Sequence, residues 1–129
     1  LEKNISISVS GKIVDGTPIN STITGCGRVF RAETILGEKT ISGSNIPIIG
    51  ALEFNISPDG EEGYIIAYKI GVQIPLPTSS VASKNGGSTA TNIQFRDIVL
   101  TNVARCALNK KLVIYGSGDQ ALSLSVTEP

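Results

Sequence analysis

The sequence predicts an all-β protein folded as a β-sandwich, and three observations carry that expectation. Apolar and polar residues alternate with period two in stretch after stretch, and Gly, Pro, Asn and Asp turn signals separate these stretches at short spacing. The composition agrees: Met and Trp are absent, Gly numbers 14 in 129 residues, and Ile, Val, Thr and Ser dominate without any long helical periodicity. A chain of this length buries one core, so one domain is expected.

The clearest strand is the first, residues 4 to 14, Asn-Ile-Ser-Ile-Ser-Val-Ser-Gly-Lys-Ile-Val. Ile5, Ile7, Val9 and Ile13 share one parity with Gly11 in the same row, while Ser6, Ser8, Ser10 and Lys12 take the other, which gives the strand one dry face. At roughly 1.5 to 3 kcal/mol per buried Ile or Val, that row represents about 6 to 12 kcal/mol of driving force. It can be buried in two ways. The strand either pairs within its own domain, or acts as an arm that adds a strand to an exposed sheet edge of a neighbouring subunit.

Asp15-Gly16-Thr17-Pro18 is then a turn, and Ile19 to Thr24 a second strand ending at Gly25-Cys26-Gly27. Phe30, Ala32, Thr34 and Leu36 set one face of a third, and Gly37-Glu38-Lys39 reads as the turn after it. Pro47 inside Asn45 to Gly50 confines that run to an edge or to irregular structure. Leu52, Phe54 and Ile56 alternate up to the turn at Ser57-Pro58-Asp59-Gly60, and the row Tyr64, Ile66, Tyr68, Ile70, Val72, Ile74, Leu76 follows. Because Ile65 and Ala67 are apolar too, the start of that strand is expected to be covered on both faces.

Thr78 to Thr91 reads as a mobile loop of small residues. Ile93 and Phe95 open a strand whose apolar parity slips to Ile98 and Leu100, which a β-bulge near Arg96-Asp97 would explain. Lys110 to Tyr115, the turn Gly116 to Asp119, and a last strand with Leu122, Leu124 and Val126 complete seven or eight strands.

Several functions are disfavoured. Eleven basic and eleven acidic residues balance without a basic stripe, so nucleic acid is not an expected partner. No apolar run of about 18 residues offers a membrane span. The chain opens at Leu1 without a leader pattern, as a processed chain would. Histidine is absent, which removes His triads and His bases, and no enzyme activity or cofactor is expected. Asp59, Glu61 and Glu62 match no calcium-loop pattern and read as a solvated hairpin loop. Cys26 and Cys106 fit neither a Cys-x-x-Cys nor a metal-ligand spacing. A disulfide between them is the simplest reading for an exported protein, and two unpaired buried thiols in a cytosolic one is the alternative.

The segment Ile5-Ser-Ile-Ser-Val-Ser-Gly11-Lys-Ile-Val14-Asp15 resembles the N-terminal donor arm of chaperone-usher pilus subunits, the fimbriae of Gram-negative bacteria. Leu1-Glu2-Lys3-Asn4-Ile5 is similar to the start of mature pilins of the enterotoxigenic coli colonisation-factor class. Cys26 after the arm and Asn92-Ile-Gln-Phe-Arg before Cys106 are similar to features of classical pilins. The cysteines stand about twice as far apart as in classical pilins, and the C terminus lacks the penultimate tyrosine of their chaperone-recognition strand.

The resemblance implies a donor arm at residues 1–14, with Ile5, Ile7, Val9, Gly11 and Ile13 as donor-strand residues. It implies a single sandwich at 15–129, immunoglobulin-like and incomplete until a donor strand fills it. The implied partners are other pilus subunits, a periplasmic chaperone, an outer-membrane usher and a host-cell receptor, on a route through the periplasm to the cell surface. The competing expectation is a small secreted carbohydrate-binding domain, such as a toxin binding subunit, whose first strand stays at home.

Overall fold

The computed structural model describes residues 4–13, 16–60, 63–77, 93–118 and 120–128. Among them are eight strands: β1 (Asn4–Lys12), β2 (Pro18–Cys26), β3 (Val29–Ile41), β4 (Ser44–Pro58), β5 (Gly63–Pro77), β6 (Ile93–Ala107), β7 (Lys111–Ser117) and β8 (Gln120–Thr127). All neighbours run antiparallel. They form one sheet in the order β2-β1-β8-β7 and another in the order β3-β4-β5-β6. The two face each other as a sandwich of the immunoglobulin-like kind. No helix of the described residues is long and apolar enough to cross a membrane.

The alternation seen in the sequence becomes the core. Ile5, Ile7, Val9 and Ile13 meet Leu122, Leu124 and Val126 in one sheet, and Leu52, Phe54, Ile56, Ile66, Tyr68, Ile70, Val72 and Ile74 in the other; all are buried. No polar or charged side chain of the described residues joins them, so the interior is held by apolar burial and backbone ladders.

Three local expectations are corrected, and that for Pro47 holds. Gly37-Glu38-Lys39 is not a turn: β3 runs through it with an irregularity between Ile35 and Gly37, and the chain reverses at Ser42 and Gly43, both at positive φ. Pro47 lies in β4, opposite Glu38 of β3, at an edge position, as its ring requires. It is tolerated because the β4–β5 ladder begins only at Ile49, so β4 has one partner at that point. There is no bulge at Arg96-Asp97, since β5 and β6 pair without a break; Phe95 simply points outward and is 50% exposed. Ala67 is exposed, so the start of β5 is covered on one face only. The loop expected at Thr78 to Thr91 lies outside the described residues.

Candidate functional site at the first strand

β1 sits at home in this structure, between β2 and β8 and antiparallel to both. Residues 4–12 are therefore part of the sandwich that residues 15–129 were expected to form without them. The dry row faces inward, with Ile5, Ile7, Val9 and Ile13 each at most 5% exposed. On the other face Ser6 shares a hydroxyl hydrogen bond with Thr24 at 2.7 Å and Ser8 one with Thr22 at 2.9 Å. Among the described residues β1 is the only strand between β2 and the β8–β7 pair. Withdrawing it would split the sheet and open a slot walled by Ile19 and Ile23 of β2 and by Leu122, Leu124 and Val126 of β8.

Gly11 has a role the sequence suggested only as a gap in a row. Its φ is 139°, a conformation that L side chains rarely adopt, and a Cβ there would collide with the Ala121 carbonyl oxygen of β8. The slot therefore leaves no room for a side chain at Gly11. At the end of β1 the chain turns within a few residues. Ile13 N–H donates to Thr17 O at 3.0 Å, and Gly16 N–H donates to Ile13 O at 2.8 Å, with Gly16 at φ 85° as the Asp-Gly signal predicts.

The far wall of the slot is fastened just beyond β8. Tyr64 Oη donates to Glu128 Oε1 at 2.6 Å, tying the end of that strand to β5 in the facing sheet. The carboxylate that accepts this hydrogen bond, together with burial and the carboxylate's charge, pushes the Tyr64 hydroxyl up to about 12. Nothing in the sequence pattern pairs Tyr64 with Glu128.

The expected Cys26–Cys106 disulfide is not formed; both thiols are free, Cys26 exposed and Cys106 buried. The reason is topological. Cys26 ends β2, the outer strand of one sheet, and Cys106 lies in β6, the outer strand of the other at the opposite side of the sandwich. β2 lies against β3, and β6 against β7 and β8. With strands about 4.8 Å apart, the two cysteines are several strands removed, far beyond the roughly 7 Å limit for bridging Cα atoms. Cys106 Sγ lies 3.7 Å from Lys110 O and 3.9 Å from Leu124 O. Burial raises its pKa, partly offset by a backbone hydrogen bond from Val126, so it is held as a thiol.

Asp59 of the acidic hairpin faces Arg105, with Oδ2 3.4 Å from Nε; Glu61 and Glu62 lie outside the described residues. Among the described residues no group of three or more acidic, His or Cys side chains could hold a metal. The outer face of the β3–β6 sheet carries a shallow depression of about 540 Å³, floored by Ala51 and Gly71 and rimmed by Arg31, Glu33, Glu53 and Lys69. Arg31 Nη2 donates to Glu53 Oε1 across it at 3.0 Å.

Comparisons with protein-family models, with curated proteins and with solved structures each find no match.

Proposed function

We propose that this chain is a structural or adhesive subunit of a surface fimbria, polymerising when β1 of one copy fills the β2–β8 slot of the next. One observation carries the reading: a strand with one fully dry face occupies the middle of a sheet, yet is joined to the rest by a single tight turn closed between Ile13 and Thr17. Every copy offers the same slot and the same strand. Exchange therefore keeps the strand contacts of Ile5, Ile7 and Val9 while changing which chain supplies them, and gives up the turn hydrogen bonds of Ile13 with Thr17 and Gly16. Such a contact is head-to-tail and does not close, so it builds a fibre.

The closed chain competes with exchange, because its own β1 is present at high effective concentration. The resemblance of the first strand to a pilin donor arm implies a periplasmic chaperone that would keep the slot filled and an outer-membrane usher that would order the exchange. A host-cell receptor would be met on the exposed faces.

A second reading, a small secreted carbohydrate-binding domain, is favoured by β1 lying at home and by the depression whose charged rim could bond hydroxyl groups. The rim contains no aromatic side chain for sugar stacking, and this reading ranks second.

A chain lacking residues 1–12 separates the two. It has a slot and no strand to give, so mixed into an assembling full-length preparation it is expected to cap fibres at one end and shorten them in proportion to its dose. Full-length chain that stays monomeric at every concentration, and never takes up the truncated chain, would refute the proposal.

A further inference from the structure

Among the described residues β6 is the outer strand of its sheet, with β5 on one side and no strand on the other. Asp59 N–H donates to Gly63 O at 3.0 Å across the β4–β5 turn, so the odd residues of β5 turn their backbone groups towards β4 and the even ones towards β6. The register Tyr64↔Cys106, Ile66↔Ala104, Tyr68↔Asn102 and Ile70↔Leu100 then gives the even residues of β6 to β5. The N–H and C=O groups of the odd residues point off the free edge. Val103 agrees, since its N–H donates to the side chain of its neighbour, Asn102 Oδ1, at 2.8 Å. A long edge with free backbone groups is a template for another strand.

The side chains of those odd residues read Asp97, Val99, Thr101, Val103, Arg105, and about Thr101 this order is its own complement. We propose that β6 pairs antiparallel with β6 of a second copy, about a two-fold axis at Thr101, fusing two four-stranded sheets into one. Asp97 of each copy then faces Arg105 of the other, Val99 faces Val103, and Thr101 faces Thr101. All are odd, so every one of these pairs exchanges backbone hydrogen bonds. Val99 and Val103 are 58% and 61% exposed in the single chain and gain a cross-strand neighbour.

On the inner side Ile98 faces Ala104 and Leu100 faces Asn102, which extends the cover over three half-buried residues at the core's margin, Ile98, Leu100 and Ala104. Sliding the partner by two residues sets Asp97 opposite Val103 or Arg105 opposite Val99, so the charges select this register. Arg105 is available because its contact with Asp59 is solvent-exposed, its side chain being 79% accessible, and such pairs are weak. Asn102 caps one edge N–H and must give it up to the second copy.

The test is sedimentation velocity over a concentration series with the full-length chain and charge reversals. D97R sets a cation opposite Arg105 of the second copy twice over, and R105D sets an anion opposite Asp97. Each alone is expected to raise the dimer dissociation constant about tenfold or more. An equimolar mixture of the two variants is expected to form heterodimers, since each supplies the charge the other lacks. The double variant D97R/R105D is expected to regain the homodimer. The mixture also guards against misfolding, because an unfolded variant could not be rescued by pairing. The pairing is independent of where β1 lies, so it stands or falls apart from strand exchange. A wild-type chain that is monomeric throughout, single variants that dimerise like wild type, or a mixture that gains nothing would each overturn the proposal.

Discussion

Gly11→Ala is expected to destabilise the sandwich itself. The added methyl meets the Ala121 carbonyl oxygen head-on, and the φ of 139° must be held by a residue that avoids it. Gly43→Ala is the matched control: Gly43 also has positive φ, at 80°, but a Cβ there meets nothing within 4 Å. The control isolates the backbone cost, about 1 to 2 kcal/mol. Gly11→Ala adds the cost of forcing atoms into a closed ladder, about 1 to 3 kcal/mol more, for a total of about 2 to 5 kcal/mol. A domain of this kind has about 5 to 15 kcal/mol to lose. With a slope of about 2 kcal/mol per molar urea, the midpoint should fall by about 1 to 2.5 M for Gly11→Ala and by less than 1 M for Gly43→Ala. Equal shifts would show that β1 does not lie against Ala121 in the folded chain.

Two further outcomes follow from the thiols and from Tyr64. A thiol reagent should label Cys26 at once and Cys106 only on unfolding, and the mass under non-reducing conditions should be that of two free thiols; a chain that takes no label before reduction and is two hydrogens lighter would contradict the strand order. Tyr64 ionises near 12 when folded against about 10 when unfolded. Its contribution to stability is therefore complete below pH 10 and lost as the pH rises towards 12. Absorbance titration should find one of the three tyrosines titrating late, and Tyr64→Phe should remove that late step; a late step that persists in the variant would place it elsewhere.

Much of this fold was legible because burial imposes a period. The rows Ile5 to Ile13, Leu52 to Ile56, Tyr64 to Ile74 and Leu122 to Val126 were read from alternation, and all of them line the core. Alternation tells which face of a strand is dry, not which strand lies beside it, so β1's place between β2 and β8 was not legible. The same limit undid the disulfide: sequence separation says nothing about which edge of a sandwich carries a cysteine. The supposed bulge in β6 came from placing Ile93 and Phe95 on the same inward row as Ile98 and Leu100, whereas Phe95 faces solvent. Gly11 was noticed as an interruption, but the backbone oxygen that requires it belongs to β8, 110 positions further along the chain.

Which chain supplies the strand in an assembled slot can be measured directly. Ser8 of β1 pairs with Ser125 of β8 on the outward face. In a Cys26→Ser background, S8C and S125C would be made in separate chains, mixed, allowed to assemble and treated with a short bis-maleimide. Strand exchange predicts covalent S8C–S125C heterodimers on a denaturing gel, and a ladder of longer products when both substitutions are carried by every chain. Cross-links confined to single chains carrying both substitutions, with none between the separate variants, would mean that β1 never leaves home and would end the fimbrial account.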